Sequence, residues 1–242
     1  MIMDKFFGKP ISGGIAAGKL YVFTHDECPV RRYHIDSSAD EIMRFEKARA
    51  EAASELDKLF HKAAREIDEE NARIFSSQIV MIEDSGFTES VYDAISDQMI
   101  NAETAVAQTS DKYMQMFIES ENEYIGSRSY DIKDISERII RILLGIQLSE
   151  LSTNDPVIIA AHDLPPSDIV RFDNDKILGF IVEEGIETSH AAILAKSKNV
   201  PAIIQAGPFL DRIRTGADAV IDGNKGILYV DPDEDVKSFL LS

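Results

Sequence analysis

The longest regular pattern in the chain is a stripe of apolar residues at three- and four-residue intervals that begins soon after Ser37. The stripe consists of Ile42, Phe45, Ala48, Ala52, Leu56, Leu59, Ala63 and Ile67. This spacing predicts a long helix with one buried face. Ser37 or Ser38 is a suitable N-cap, and Asp40 and Glu41 follow in the first turn, where the helix dipole favours negative charge.

Helical periodicity continues, with interruptions at Gly86 and Asn101, to about Ile146. The last stripe is formed by Ile132, Ile135, Ile139, Ile142 and Leu143, and Gly145 ends it. No proline occurs between Ser37 and Gly145, and prolines inside helices would break them. The pattern therefore predicts an all-helical bundle over residues 36–146.

At both ends of the chain, the apolar residues form short runs of strand length and do not follow the helical spacing. Residues 10–24 predict strand structure broken by glycines, and short apolar runs of strand length follow Pro156. These runs are Val157–Ala161, Ile177–Val182, Pro201–Ile204, Ala219–Asp222 and Gly226–Val230, with predicted helices at Leu164–Phe172 and His190–Lys198 between them. Asp222–Gly226 is typical of a hairpin turn. The ends therefore predict an α/β fold.

Charge and composition limit the classes of function. The formal net charge is −18, which disfavours binding to nucleic acid and favours a basic protein partner. The helical segment alone holds 24 acidic and 12 basic residues. The single cysteine, Cys28, excludes a disulfide framework and indicates a reducing compartment. Without a secretory signal or a membrane-length apolar run, we expect a cytoplasmic protein with no membrane insertion.

The candidate chemistry centres on His190, which follows Thr188 and Ser189 and opens an Ala-rich helix pattern. The free N–H groups and the dipole of a helix N-terminus favour an anion. A neutral imidazole there can take up a phosphoryl group, with the Ser189 hydroxyl as a further donor. The alternative for a histidine at this position is a plain polar cap. No metal-ligand spacing, Walker A loop or dinucleotide fingerprint occurs, so we expect no cofactor in this chain.

Four stretches carry a resemblance to a known family. Thr188–Ala195 with Val200–Ile203 matches T-S-H-x-A-I-x-A and x-P-A-I, and resembles the phosphohistidine signature of the phosphoenolpyruvate-utilising enzymes. Gly13–Lys19, Ala72–Asp84 and Tyr130–Gly145 are similar, in order, to stretches of Enzyme I of the bacterial sugar phosphotransferase system. The resemblance covers nearly all 242 residues.

The resemblance implies a fold and an activity. Residues 1–35 and 147–242 would form a swivelling α/β phosphohistidine domain whose sheet includes the N-terminal strand, and residues 36–146 an inserted helical domain that binds the phosphocarrier protein HPr. The activity would be phosphoryl transfer from phosphoenolpyruvate through His190 to HPr in sugar uptake. Enzyme I continues into a dimerising barrel domain that binds phosphoenolpyruvate and Mg²⁺. We therefore expect this portion to be a monomer that needs such a domain for autophosphorylation.

The resemblance also suggests a partner surface on the helical segment. The residues that it marks are Glu69, Glu70, Phe75, Ile82, Asp84 and Arg128, with Ile74 and Ile79 beside them. A guanidinium near a transferring phosphoryl group would neutralise charge. The alternatives are that the apolar residues belong to the core and that Arg128 forms a surface ion pair with Asp131 or Glu123.

The sequence departs from the Enzyme I pattern at Pro165, Glu187, Lys196 and Gln78, the last of which replaces a histidine common in the docking helix. His162 begins the loop that contains Pro165, and the resemblance places this loop near the phosphohistidine. Two alternatives to Enzyme I remain, and the departures at Glu187 and Pro165 are the main support for the second. One is a related phosphotransferase of a regulatory nitrogen or dihydroxyacetone system. The other is a non-catalytic module that senses the phosphocarrier.

Overall fold

The computed structural model describes residues 3–24, 28–120, 128–147, 155–185 and 190–241. The chain divides into two units, one formed by Met1–His25 with Glu150–Ser242 and the other by Asp26–Ser149. A helical unit is thus inserted into an α/β unit that contains both chain ends. In the part of the chain that the structure describes, no helix is long and apolar enough to cross a membrane.

Helix α1, Ser38–Glu66, follows the predicted apolar stripe. The Ser37 hydroxyl caps it by accepting the N–H of Asp40 at 3.2 Å. The stripe is buried from Phe45 to Ala63, whereas Ile42 and Ile67 at its two ends are only partly buried. Burial of each large apolar side chain stabilises the fold by about 1.5–3 kcal/mol. The buried face is therefore the main reason why α1 forms.

The other described helices of this unit are α2, Glu69–Glu83; α3, Ser85–Gln98; α4, Ala102–Ile118; and α5, Ser129–Leu143. Asp68 and Asp84 cap α2 and α3, each accepting a backbone N–H three residues ahead. α1 packs against α2, and α4 packs against α5. The α5 stripe is buried at Ile132, Ile135 and Ile139.

Residues 31–35 belong to the helical unit, although we predicted the boundary after residue 35. Asn101, which is buried, accepts the Tyr33 N–H at 3.1 Å and donates from Nδ2 to the Arg31 carbonyl oxygen at 3.1 Å. The Ile35 N–H donates to the Met99 carbonyl oxygen at 3.0 Å. These bonds join residues about 70 positions apart, which no local pattern could indicate.

The α/β unit contains an eight-stranded sheet in the order β1-β8-β7-β3-β4-β5-β6-β2. The strands are β1, Asp4–Phe7; β2, Lys9–Ser12; β3, Ile15–Phe23; β4, Val157–Ala161; β5, Ile177–Val182; β6, Ala202–Ile204; β7, Asp218–Asp222; and β8, Ile227–Val230. β3 to β6 are parallel neighbours, and the remaining pairs are antiparallel. The N-terminal strand β3 lies between β4 and β7, so the N-terminal segment joins the C-terminal sheet as the resemblance implies.

The sheet closes on itself at Gly8. β1 and β2 stand at the two ends of the strand order, yet Gly8 is the only residue between them in the sequence. β1 pairs with β8, and β2 pairs with β6. A Cβ atom at Gly8 would lie 2.6 Å from the Ile204 carbonyl oxygen and 2.6 Å from Ile203 Cγ2. Glycine therefore permits the close approach that makes the sheet a barrel. We did not predict β1 or this closure.

Alternate strand residues fill the barrel interior, and helices cover parts of its outside. The interior cluster consists of Phe6, Leu20, Ile158, Ala160, Ile181, Ile203, Phe209, Ala217, Ala219, Ile221, Leu228 and Val230. The described outer helices are α6, Pro166–Arg171; α7, His190–Ser197; and α8, Glu234–Leu241. α6 is shorter than the predicted Leu164–Phe172 because Pro165 and Phe172 have extended backbone.

Candidate functional site

The carboxyl edge of the parallel strands β4, β5 and β6 brings three segments together. Residues 162–164 follow β4, residues 183–185 follow β5, and residues 205–207 follow β6. From the second segment the chain continues through residues 186–189 to His190, which opens α7. Ligands and reacting groups of parallel α/β sheets gather at this edge. It is therefore the candidate site.

Hydrogen bonds fasten these segments to one another. The Glu184 N–H donates to the His162 carbonyl oxygen at 3.0 Å, and the Gln205 N–H donates to the Glu184 carbonyl oxygen at 3.1 Å. The Gln205 side chain adds a bond from Nε2 to the Gly185 carbonyl oxygen at 3.0 Å. Gly185 has a φ of +109°, which only glycine adopts readily. The start of the segment that leads to His190 is thus held from the β6 side.

The Glu183 carboxylate lies at the centre of this edge. Its Oε1 accepts the N–H groups of Phe209 at 2.6 Å and Leu210 at 2.9 Å. Its Oε2 lies 2.8 Å from Nδ1 of His162. The Nε2 of His162 lies 3.7 Å from Glu184 Oε1. One carboxylate therefore joins the end of β4 to the loop after β6.

Both members of this pair have shifted pKa values. Desolvation alone would raise the pKa of Glu183, but the Leu210 N–H, the His162 imidazole and the Phe209 N–H together lower it below its ordinary value. The hydrogen bond that His162 donates to Glu183 raises the pKa of His162, and the negative charges of Glu184 and Asp163 act in the same direction. The pair therefore favours an imidazolium next to a carboxylate.

A largely apolar pocket lies beside the site, between α7 and the outer face of β5 and β6. Its lining includes Leu164, Val182, Gly185, Ala192 and Ala195. Ala192 and Ala195 are both buried, so they attach α7 to the barrel.

The predicted catalytic residues fall partly outside the described residues. His190 is described as the first residue of α7, at the carboxyl edge of the parallel strands. Thr188 and Ser189, with which we predicted that it acts, lie outside the described residues, and so does Glu187. Sequence reasoning missed Glu183 and Gln205, although each directly follows a predicted strand. That position was a usable signal.

Of the four charged residues of the predicted partner surface, three are exposed and one is partly buried. Glu69 and Glu70 are exposed in the first turn of α2. Asp84 is exposed at the other end, about 20 Å away by helical rise, and it caps α3. Arg128 is partly buried just before α5, and its charge acts to lower the pKa of Asp131.

Phe75 and Ile82 do not lie on a partner surface. Both are 0% exposed in the helical unit, and Ile74 is also buried, so the docking role predicted for Phe75 and Ile82 is corrected to a core role. The exposed face of the same helix includes Arg73, Ser76, Val80 and Glu83. Val80 is 69% exposed, so it presents an apolar side chain on this face, whereas Ile79 and Met81 are only partly exposed. The helical period of the buried positions could have indicated this face.

Gln78, one of the departures from the Enzyme I pattern, is also buried. Its Nε2 donates to Asp131 Oδ1 at 3.3 Å and to Asp134 Oδ2 at 3.1 Å. Desolvation, together with repulsion from Asp134, raises the pKa of Asp131 to about 6, against the opposing effects of Gln78 and Arg128. Gln78 thus joins two buried carboxyl groups, and it does not contact a partner directly.

Neither of the other described departures adds a polar group to the core. Pro165 occupies the N-cap of α6 without a side-chain cap bond, and Lys196 is exposed. Across the described residues, no group of three or more His, Cys, Asp or Glu side chains could hold a metal ion.

Two sequence families match the chain over most of its length. Residues 7–128 match the N-terminal family of the PEP-utilising enzymes, and residues 153–226 match their mobile domain. The phosphoenolpyruvate-protein phosphotransferase of Bacillus subtilis is 34% identical over 239 residues, covering 98% of this chain and 42% of that protein. The protein of the same name from Enterococcus faecalis is 31% identical over 233 residues, covering 96% of this chain and 40% of that protein.

The chain spans about two fifths of the length of these curated relatives. A solution structure of Enzyme I (nEIt) superposes with a TM-score of 0.81 at 30% identity, covering 98% of this chain and 96% of that one. An N-terminal domain of Enzyme 1 - Nitrogen shares the fold, with a TM-score of 0.64 at 21% identity over 98% of both chains. The chain therefore belongs to the PEP-utilising enzyme family.

Proposed function

We propose that this chain is the phosphohistidine and carrier-docking portion of a phosphoenolpyruvate–protein phosphotransferase. In this proposal His190 receives a phosphoryl group that originates from phosphoenolpyruvate, and an HPr-type phosphocarrier accepts it for sugar uptake. The observation that carries the proposal is the position of His190, within the family's T-S-H-x-A pattern, at the start of α7 and at the carboxyl edge of β4, β5 and β6. The names of the curated relatives support the same reaction.

The chemistry at His190 is a transfer between nitrogen atoms. In the exchange with a carrier, a neutral imidazole nitrogen of His190 attacks phosphorus while the bond from phosphorus to the carrier's imidazole nitrogen breaks. The electron pair of the broken bond returns to the carrier imidazole, so nothing is oxidised or reduced. The free N–H groups of the first turn of α7 can donate hydrogen bonds to the phosphoryl oxygens.

The helical unit supplies the surface for the carrier. Over residues 36–146 acidic residues exceed basic residues by twelve, which favours a basic partner and fast encounter. Glu69 and Glu70 present charge at the start of α2, and Val80 presents an apolar contact on its exposed face. We propose that this face replaces the Phe75 and Ile82 surface of the sequence prediction.

The reaction with phosphoenolpyruvate belongs to the whole protein. We propose that a further domain with Mg²⁺ binds phosphoenolpyruvate, since this chain corresponds to about two fifths of its curated relatives. We also propose a cytoplasmic location and a monomeric state for this portion. A regulatory nitrogen or dihydroxyacetone phosphotransferase would use the same histidine, and carrier selectivity distinguishes these systems.

The test is to mix the purified chain with a phosphorylated HPr-type carrier and to record its intact mass. We expect a gain of one acid-labile phosphoryl group. The matched control is His190→Ala, which should show no gain. A chain that binds the carrier but gains no phosphoryl group from several carriers would overturn the proposal in favour of the sensing module.

A further inference from the structure

We propose that His162 is a positioning residue for His190, acting through its charged hydrogen bond to Glu183. This inference rests on the proposed function, because the reaction that it concerns is phosphoryl transfer to His190. His162 is the first residue after β4, and Glu183 is the first residue after β5. The pair therefore joins neighbouring parallel strands at the edge from which the chain leads to His190.

Glu183 is held by more than His162. Its Oε1 accepts two backbone N–H groups, from Phe209 and Leu210, which leaves Oε2 for the imidazole at 2.8 Å. Its side chain is 13% exposed, whereas that of His162 is 64% exposed. A carboxylate with fixed backbone donors orients an imidazole without being displaced by it. The imidazole in turn fixes the second oxygen of the carboxylate.

The backbone carries this constraint to the segment that leads to the nucleophile. The Glu183 N–H donates to the Ala161 carbonyl oxygen at 3.1 Å, and the Glu184 N–H donates to that of His162 at 3.0 Å. Gly185 follows Glu184 directly, and the carbonyl oxygen of Gly185 accepts a hydrogen bond from Gln205 Nε2 at 3.0 Å. His190 lies five residues beyond Gly185. Asp163 and Gly185 line one pocket with Ala192 of α7, so displacement at residues 183–185 would shift the start of α7, where His190 lies.

Charge decides how firmly the pair holds. The charged groups found around the imidazole are Glu183, Glu184 and Asp163, and all three favour its protonated form. Loss of the proton would remove the positive charge with which the three carboxylates interact and weaken the bond to Glu183. Because the pKa of His162 lies above its ordinary value, the constraint is complete at low pH and is lost as pH rises through that raised pKa.

The role is distinct from acid–base catalysis. Transfer between two imidazole nitrogens requires no net proton, so His162 need not exchange one with the reacting groups. Replacing the charged hydrogen bond with a neutral one lowers the equilibrium constant for the positioned arrangement about tenfold. We therefore expect a change of that order in the transfer rate.

The experiment compares three variants of the whole chain with wild type. His162→Gln retains a donor without charge, and Glu183→Gln retains an acceptor for the N–H groups without charge. Lys19→Gln is the matched control, because it removes an exposed ion pair with Asp218 elsewhere in the same unit. The rate of phosphoryl transfer from a phosphorylated HPr-type carrier is measured from pH 5.5 to 9. Rate ratios to wild type cancel the titration of the carrier and of His190.

We expect His162→Gln and Glu183→Gln to be about tenfold slower than wild type below the pKa of His162. The difference should shrink as pH rises through that pKa, and Lys19→Gln should match wild type throughout. By NMR, the Gly185 amide and the Gln205 side-chain amide of wild type should titrate with the same midpoint as the His162 imidazole. This coupling should disappear in Glu183→Gln.

Two results would overturn the inference. Equal transfer rates for His162→Gln and wild type at every pH would do so, and so would a Gly185 amide that does not follow the His162 titration. Failure of wild type itself to gain a phosphoryl group would instead refute the proposed function. The two failures are therefore distinguishable.

Discussion

Asp131 provides a direct test of the energetics of the helical unit. Its side chain is only 3% exposed and accepts a hydrogen bond from the uncharged Gln78 amide, and the charge of Arg128 offsets the effect of burial only in part. Burial, assisted by Asp134, raises the pKa of Asp131 from 3.8 to about 6. The folded state therefore holds a proton that the unfolded state releases between these two pH values.

The sign and size of the effect follow from linkage. The folded state binds more protons than the unfolded state between pH 4 and pH 6, so stability falls as pH rises through this window. Each pK unit corresponds to about 1.4 kcal/mol, which gives a penalty of about 3 kcal/mol above pH 7. Asp131→Asn keeps an acceptor for Gln78 and removes the charge. We expect it to increase the free energy of unfolding by about 1–3 kcal/mol at pH 7.5 and by less than about 1 kcal/mol at pH 4.

The assay is urea unfolding followed by circular dichroism at 222 nm, which reports mainly on the helices α1 to α5. Measurements at pH 4.0, 6.0 and 7.5 avoid the pI of 4.6, where solubility is lowest. Asp93→Asn, at an exposed aspartate of α3, is the matched control and should change stability by less than about 0.5 kcal/mol. A gain that does not depend on pH, or a loss of stability at pH 7.5, would refute the reasoning.

Three further predictions concern the barrel, the core of the helical unit and the partner surface. Gly8→Ala should lower the free energy of unfolding by more than about 2 kcal/mol in urea, because its Cβ would meet the backbone of β6. Gly13→Ala should cost less, since its Cβ meets the movable Asn224 side chain, and equal costs would contradict the account of closure. Phe75→Ala should cost about 3–5 kcal/mol by leaving a cavity. Val80→Ser should change stability little but weaken carrier binding measured by calorimetry, and unchanged binding would remove Val80 from the docking face.

Local patterns predicted those parts of the fold that depend on local contacts. The stripe of α1 and the apolar runs of β4 and β5 formed the expected elements, because each element buries one face or both. The family signature located His190 at a helix start. The helix over Glu69–Glu83 also formed, but the assignment of Phe75 and Ile82 to its surface ignored the helical period that places them with the buried positions.

Contacts between distant residues could not be derived from such patterns. Closure of the barrel depends on Gly8 meeting residues 203–206, nearly two hundred positions away. The pairing of His162 with Glu183 depends on two parallel strands ending side by side. The boundary near residue 35 depends on Asn101. These features are set by tertiary packing, which overrides what a short window of sequence can indicate.

The central claim is that His190 carries the phosphoryl group. The measurement that tests it most directly is tandem mass spectrometry of the chain after reaction with a phosphorylated HPr-type carrier, under alkaline conditions that preserve phosphohistidine. The account predicts one phosphoryl group on the peptide that contains His190 and none on His162. A phosphoryl group on another residue, or none at all while the carrier remains bound, would contradict it.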